Sequence, residues 1–113
     1  MEARLPAHVE AMALIRSAQG EGGVGMVIQK GERDAGALLV VMVENGANAR
    51  LYERMPQPDG ERIWHCSKQQ NVDNPLEFNN YLNRRRAQDS DCWVIELDIA
   101  NGERLIGLSS AQA

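Results

Sequence analysis

Asp34 stands at the head of an apolar run and is followed by Ala35-Gly36-Ala37. Small residues let a ligand or a second stretch of backbone come close, so a short acid there can orient a ligand or hold a metal. The same acid can instead close an Asx-turn by accepting from backbone N–H groups two residues on, and that is its expected role. A second concentration of chemistry is Arg84-Arg85-Arg86, since guanidinium forks bind phosphate through two parallel bonds. Cations are also favoured in the last turn of a helix, and Asp89 and Asp91 stand nearby as partners. Arg50, Arg54 and Arg62 are mixed with Glu53 and Glu61, which reads as cross-strand charge pairing on an exposed sheet face. Tyr52 and Trp64 are the only aromatics on those strands, too few for a platform on which bases would stack.

Nucleophile signals are absent. No serine lies in a GxSxG elbow, and Cys66 directly follows His65, where neighbouring strand residues point to opposite faces. Cys66 and Cys92 have no metal-ligand spacing, and His8 and His65 stand in no useful relation to them. Both thiols read as buried, structural and strand-borne. Gly20-x-Gly22-Gly23-x-Gly25 follows a helix and precedes a strand, the reverse of what a dinucleotide fingerprint needs. The sequence therefore calls for no metal and no cofactor.

Glu53 is the candidate partner of Asp34. An acid entering one strand and a second on the next echoes the restriction-endonuclease-like nucleases. Those place a lysine two residues after the second acid, where it helps activate water beside a metal. Met55 occupies that place here, with Arg54 one position off. The pattern lacks its lysine.

These residues must be positioned by secondary structure that the sequence also describes. A helix is expected from Pro6 to Gln19, with Leu5, Val9, Met12 and Ile15 on its apolar face and Leu14 pointing away. Gly20, Gly22 and Gly23 stop it. Val24 to Lys30 alternates as a strand should. Ala35 to Glu44 is almost continuously apolar, so both its faces must be covered, by a helix on at least one side. Asn45-Gly46 signals a tight hairpin into Ala49–Met55, and the turn Pro56 to Gly60 leads to a strand from Glu61 to Ser67. Asn74-Pro75-Leu76-Glu77 reads as a helix start with Asn74 as cap and Glu77 closing a capping box. Phe78, Tyr81 and Leu82 form that helix's apolar face. Cys92 to Ile99 alternates, and Asn101-Gly102 turns into a short last strand, Arg104 to Leu108. The order is α-β-β-β-β-α-β-β. The fold expected is α+β: one mainly antiparallel sheet of five or six strands, with both helices on the same face.

At 113 residues the chain has room for one domain, residues 1–113, without internal repeats or linkers. A hydrophobic share of 43% supports a folded core, and a net charge of −4 works against general attraction to nucleic acid or anionic membrane. The first residues lack a signal peptide's basic start and apolar run, and no stretch reaches the ~20 apolar residues of a membrane span. A cytoplasmic protein is expected.

Leu5-Pro6 opens the first helix, and Gly31 through Asp34-Ala35-Gly36-Ala37 precedes a Leu/Val run. Tyr81-Leu82-x-Arg84 leads to Asp89-x-Asp91-x-Trp93-Val94-Ile95-Glu96. Together these motifs resemble a family of short alphaproteobacterial proteins known as domain of unknown function 1491. The resemblance runs from Arg4 to about Leu108, and departs at Ser90, where the family pattern has proline. It implies a bacterial cytoplasmic protein, with Asp34, Arg84, Asp91 and Trp93 as positions to watch, and it carries no catalytic assignment. Trp93 and Asp91 are expected to be structural. Trp93 should fill core beneath the second helix, and Asp91 should pair with Arg84 or bond the turn backbone.

Three functions are consistent with these residues. The first is a non-catalytic accessory module that binds a protein partner or its own copies through exposed sheet edges. The second is a nucleic-acid-linked enzyme using Asp34, Glu53, Arg84 and Arg85. The third is a small-ligand sensor using Asp34 and Arg84 at a helix–sheet cleft. The shortage of convergent reactive groups favours the first.

Overall fold

A computed structural model describes residues 5–33, 36–56, 58 and 62–108. Helix α1 (Ala7–Gly20) leads into strands β1 (Val24–Gln29), β2 (Leu38–Glu44), β3 (Ala47–Pro56) and β4 (Arg62–Gln69). Helix α2 (Leu76–Gln88), strand β5 (Trp93–Asp98) and a closing 3-10 helix (Gly102–Ile106) complete the chain. The five strands form one sheet in the order β1-β5-β2-β3-β4. Every neighbouring pair is antiparallel except β2 and β5, which run parallel. The α+β class, the element order through β5 and the mainly antiparallel sheet are as the sequence leads one to expect.

Local chemistry explains the elements. Asn45 (φ 52°) and Gly46 (φ 76°) supply the positive angles that the β2–β3 hairpin requires. β2 is buried over nearly its full length because it lies mid-sheet with a helix on each side. Leu38, Val40 and Met42 meet the core shared with α1, together with Tyr52, Trp93, Ile95 and Leu97. Leu39, Val41 and Val43 meet Phe78 and Leu82 of α2, together with Leu51, Cys92 and Val94. The helices therefore lie on opposite faces, not on one. A strand apolar at both parities needs two covers, and a helix in the crossover between parallel strands supplies the second.

Three further expectations are corrected. The face of α1 turned to the sheet is Ala7, Ala11, Ile15 and Ala18, with Leu14 beside it, while Leu5, Val9 and Met12 are exposed. Alanines let the helix settle close: a Cβ on Gly25 of β1 would fall 2.9 Å from the Ile15 side chain. At α2, Pro75 rather than Asn74 holds the cap position, and no side chain caps it. Glu77 pairs with Lys68 instead of closing a capping box. Finally, the segment after Asn101 is a 3-10 helix and not a strand. β5 is already paired on both sides, by β1 and β2, so a strand returning from it has no edge to join.

Candidate functional site

Gly36, Asp91 and Trp93 come together where the loop after β1 crosses the turn before β5. The Glu32 N–H donates to the Asp91 carbonyl at 2.8 Å, and the Trp93 N–H donates to the Ala37 carbonyl at 2.7 Å. The Trp93 indole Nε1–H donates to the Glu32 carbonyl at 2.8 Å. Gly31 and Gly36 make the crossing possible: a Cβ on either would lie 2.1 or 2.2 Å from the Asp91 carbonyl oxygen. Trp93 is buried as expected, but in the core under α1 and not beneath α2. Asp91 takes part through its backbone, and it is Asp89 whose carboxylate closes the turn, accepting from the Asp91 N–H at 3.1 Å. Asp34 lies outside the described residues.

On the α2 face, Glu53 of β3 is held by Arg85, with Nε and Nη2 both 3.0 Å from Oε1. Burial works against the Arg85 charge, but the Glu53 carboxylate outweighs it and raises the Arg85 pKa. Arg84 is exposed and contributes to holding Glu77 acidic, after the direct bond and charge of Lys68. Arg86 turns toward β1, where its Nε donates to Gln29 Oε1 at 3.2 Å. Gln29 Nε2 in turn donates to the Cys92 carbonyl at 2.9 Å. The arginine run thus divides three ways. Burial pushes the Cys92 and Cys66 thiols up, away from the thiolate that would make either reactive. Cys92 sits just ahead of β5, while Cys66 is only half-buried.

The most connected polar group was not visible as such in the sequence. Arg50, expected on an exposed face, is buried at 5% exposure against Glu103 at 3%. Its Nε and Nη2 donate to the two Glu103 oxygens at 2.6 and 3.0 Å. Nη1 donates to the Asn48 carbonyl at 2.6 Å, and the Tyr52 hydroxyl donates to Glu103 Oε2 at 2.8 Å. Desolvation alone would push Glu103 up, yet the bonds from Arg50 and Tyr52 hold it below its ordinary value. Tyr52 is raised, first by burial and then by the carboxylate it bonds. Arg54 lies on the same side of β3, donating to Glu10 of α1 at 2.8 Å with its guanidinium over the Trp64 ring at 4.5 Å. The available signal was the alternation Arg50-x-Tyr52-x-Arg54, which puts all three on one face. The group locks the 3-10 helix and α1 to β3.

A cleft of about 330 Å³ opens beyond the C-terminal ends of β2 and β5, among Glu21, Glu44, Asp98 and Arg104. Its carboxylates are engaged: Asp98 accepts from the Asn45 and Gly46 N–H groups at 2.7 and 3.0 Å, and Glu21 pairs with Arg104. Arg84 does not line it. Among the described residues no three His, Cys, Asp or Glu side chains cluster as metal ligands, and no helix is long and apolar enough to cross a membrane.

The two outer strands differ sharply. β4 carries Arg62, His65 and Lys68. β1 reads Val-Gly-Met-Val-Ile-Gln, without a charge or a proline. On β1, Val24 is 62% exposed and Met26 52% exposed, both on the α2 side beyond the reach of that helix. Beneath them Glu96 is pushed up by burial and by the neighbouring Asp98.

The family model described as protein of unknown function (DUF1491) matches residues 5–107. A crystal structure of a DUF1491 family protein from Caulobacter crescentus is similar at TM-score 0.80 and 30% identity, covering 94% of this chain and 98% of that one. The NMR structure of a DUF1491 family protein from the same organism gives 0.78 and 30%, over 96% and 97%. A solution structure of an A. tumefaciens protein gives 0.76 and 29%, over 98% and 100%. The comparison with curated proteins found no match. By the extent of the family match and the agreement of the folds, the chain belongs to the DUF1491 family of proteins of unknown function.

Proposed function

We propose that the protein is a small interaction module of the bacterial cytoplasm that binds another polypeptide along β1. The observation that carries this reading is an outer strand without charge or proline whose Val24 and Met26 are exposed. Natural edge strands are usually guarded by charges, proline or covering elements, because their free N–H and C=O groups recruit any extended chain. β4 has such charges and β1 does not. An added strand would gain backbone bonds from β1 and apolar contact from Val24 and Met26, the mode by which sheet edges bind peptides. The polar groups of the interior support the same reading, since Arg50, Glu103, Glu53 and Arg85 are spent on each other.

A photo-crosslinking residue at position 26, expressed in the native cell, should join the protein to a second polypeptide. The same residue at Ile63, half exposed on β4, serves as control. Adducts at neither position, or equally at both, would remove the support for a β1 docking edge.

A further inference from the structure

We infer that the polypeptide bound at β1 is a second copy of this chain, paired antiparallel through β1 about a two-fold axis at Gly25. This rests on the reading of β1 as a docking edge and adds the identity of the occupant. Two five-stranded sheets would become one continuous sheet.

Charge selects the direction. β1 is left through Lys30, which is exposed, while the Glu21 carboxylate at its entry is paired with Arg104. Parallel in-register pairing would set the two Lys30 side chains together, whereas antiparallel pairing about Gly25 places them at opposite ends of the shared seam. Apolar contact selects the register. With Gly25 opposite itself, Val24 of each copy stands opposite Met26 of the other, and directly opposed residues of an antiparallel pair lie about 5 Å apart on one face. Each exposed side chain gains one apolar cross-strand neighbour, and the axis makes the pair twice. This register also needs only the first part of β1 and avoids the irregularity between Val27 and Gln29.

The helix above the edge matches the same axis. His8 and Glu10, two residues apart, point about 160° apart around α1. Glu10 reaches Arg54 toward the middle of the sheet, so the His8 flank faces outward, and His8 Nδ1 lies 2.9 Å from the Arg33 carbonyl just past β1. Met12 stands four residues after His8, on that outward flank, and is exposed. α1 packs over β1 and β5. Joining two copies at β1, with strands about 4.8 Å apart, sets the two α1 helices roughly 10 Å apart, which is helix-packing distance. The apolar residues left open on the helix and on the strand are thus closed by one operation.

The purified full chain should sediment at about twice its 12.5 kDa mass, with dissociation seen only on strong dilution. Met26→Lys should weaken the dimer at least tenfold while far-UV circular dichroism and melting stay those of a folded monomer, and Ile63→Lys should leave it intact. A mixture of Val24→Cys and Met26→Cys chains should oxidise to a crosslinked pair more readily than either variant alone. A monomer at every concentration overturns the second copy. If Met26 nonetheless crosslinks to a different protein in the cell, the docking edge survives with another occupant. A dimer indifferent to Met26→Lys overturns the placement at β1.

Discussion

Glu103 and Glu96 are two carboxylates on opposite faces of the sheet whose links to pH have opposite signs. The bonds from Arg50 and Tyr52 set the Glu103 pKa below its ordinary 4.5, so its contribution is fully present above that value and is lost as pH falls through the folded pKa. Replacing it by alanine leaves the buried Arg50 with only the Asn48 carbonyl and the half-exposed Glu44 carboxylate at 3.6 Å, a loss that costs up to about 3–5 kcal/mol. Urea melts of Glu103→Ala at neutral pH check this. Glu103→Gln should be destabilised at pH 7 by an amount that shrinks below pH 4.5, as wild-type Glu103 itself becomes neutral. Glu96 has the other sign. Its folded pKa lies above 4.5 because burial and Asp98 oppose its charge, so the charge destabilises the fold at neutral pH and the cost fades as pH falls through the folded value. Glu96→Gln should therefore melt higher than wild type at pH 7, the gain vanishing below pH 4.5. A lower melting temperature at pH 7 would contradict this. Neither residue stood out in the sequence: 103 fell between the Asn101-Gly102 turn and the strand expected from Arg104, 96 fell into simple alternation, and only the long-range partners give them character.

At the scale of elements, legibility followed the range of the determining contacts. The β2–β3 hairpin was readable because Asn45 and Gly46 carry their own conformational requirement. The apolar run of β2 was readable as a central strand for the same local reason. The sheet-facing side of α1 was not, since alanine spacing and apolar spacing competed, and the glycine beneath Ile15 decided for alanine. The last strand was misread because a turn signal at Asn101-Gly102 says nothing about whether an edge is vacant. The candidate site was legible in part: Gly36, Asp91 and Trp93 do meet, through backbone and indole bonds that side-chain types alone do not disclose. Trp93→Ala should cost about 3–5 kcal/mol by emptying the core under α1, measured by chemical denaturation. Gly36→Ala should also lower the melting temperature, because its Cβ would have to displace the Asp91 carbonyl. A neutral result for either variant would mean that this crossing is slack.

For the whole molecule, the parallel pair β2–β5 has a consequence in time. β5 lies between β1 and β2 although residues 93–98 follow them in the chain by some fifty residues and more. Such distant pairings form slowly, because loop closure must precede the contacts that reward it. The meander β2-β3-β4 needs only short turns and can form first. Among the described residues β1 pairs within the chain with β5 alone, so during synthesis it has no intrachain partner until β5 has left the ribosome. Pulsed hydrogen exchange during refolding should show protection in β2, β3 and β4 before β1, with β1 and β5 gaining it together. In that interval α1, whose sheet-facing residues rest on β1 and β5, has only part of its seat, and the newborn chain offers a three-stranded ribbon with one apolar side incompletely covered to any chaperone that meets it.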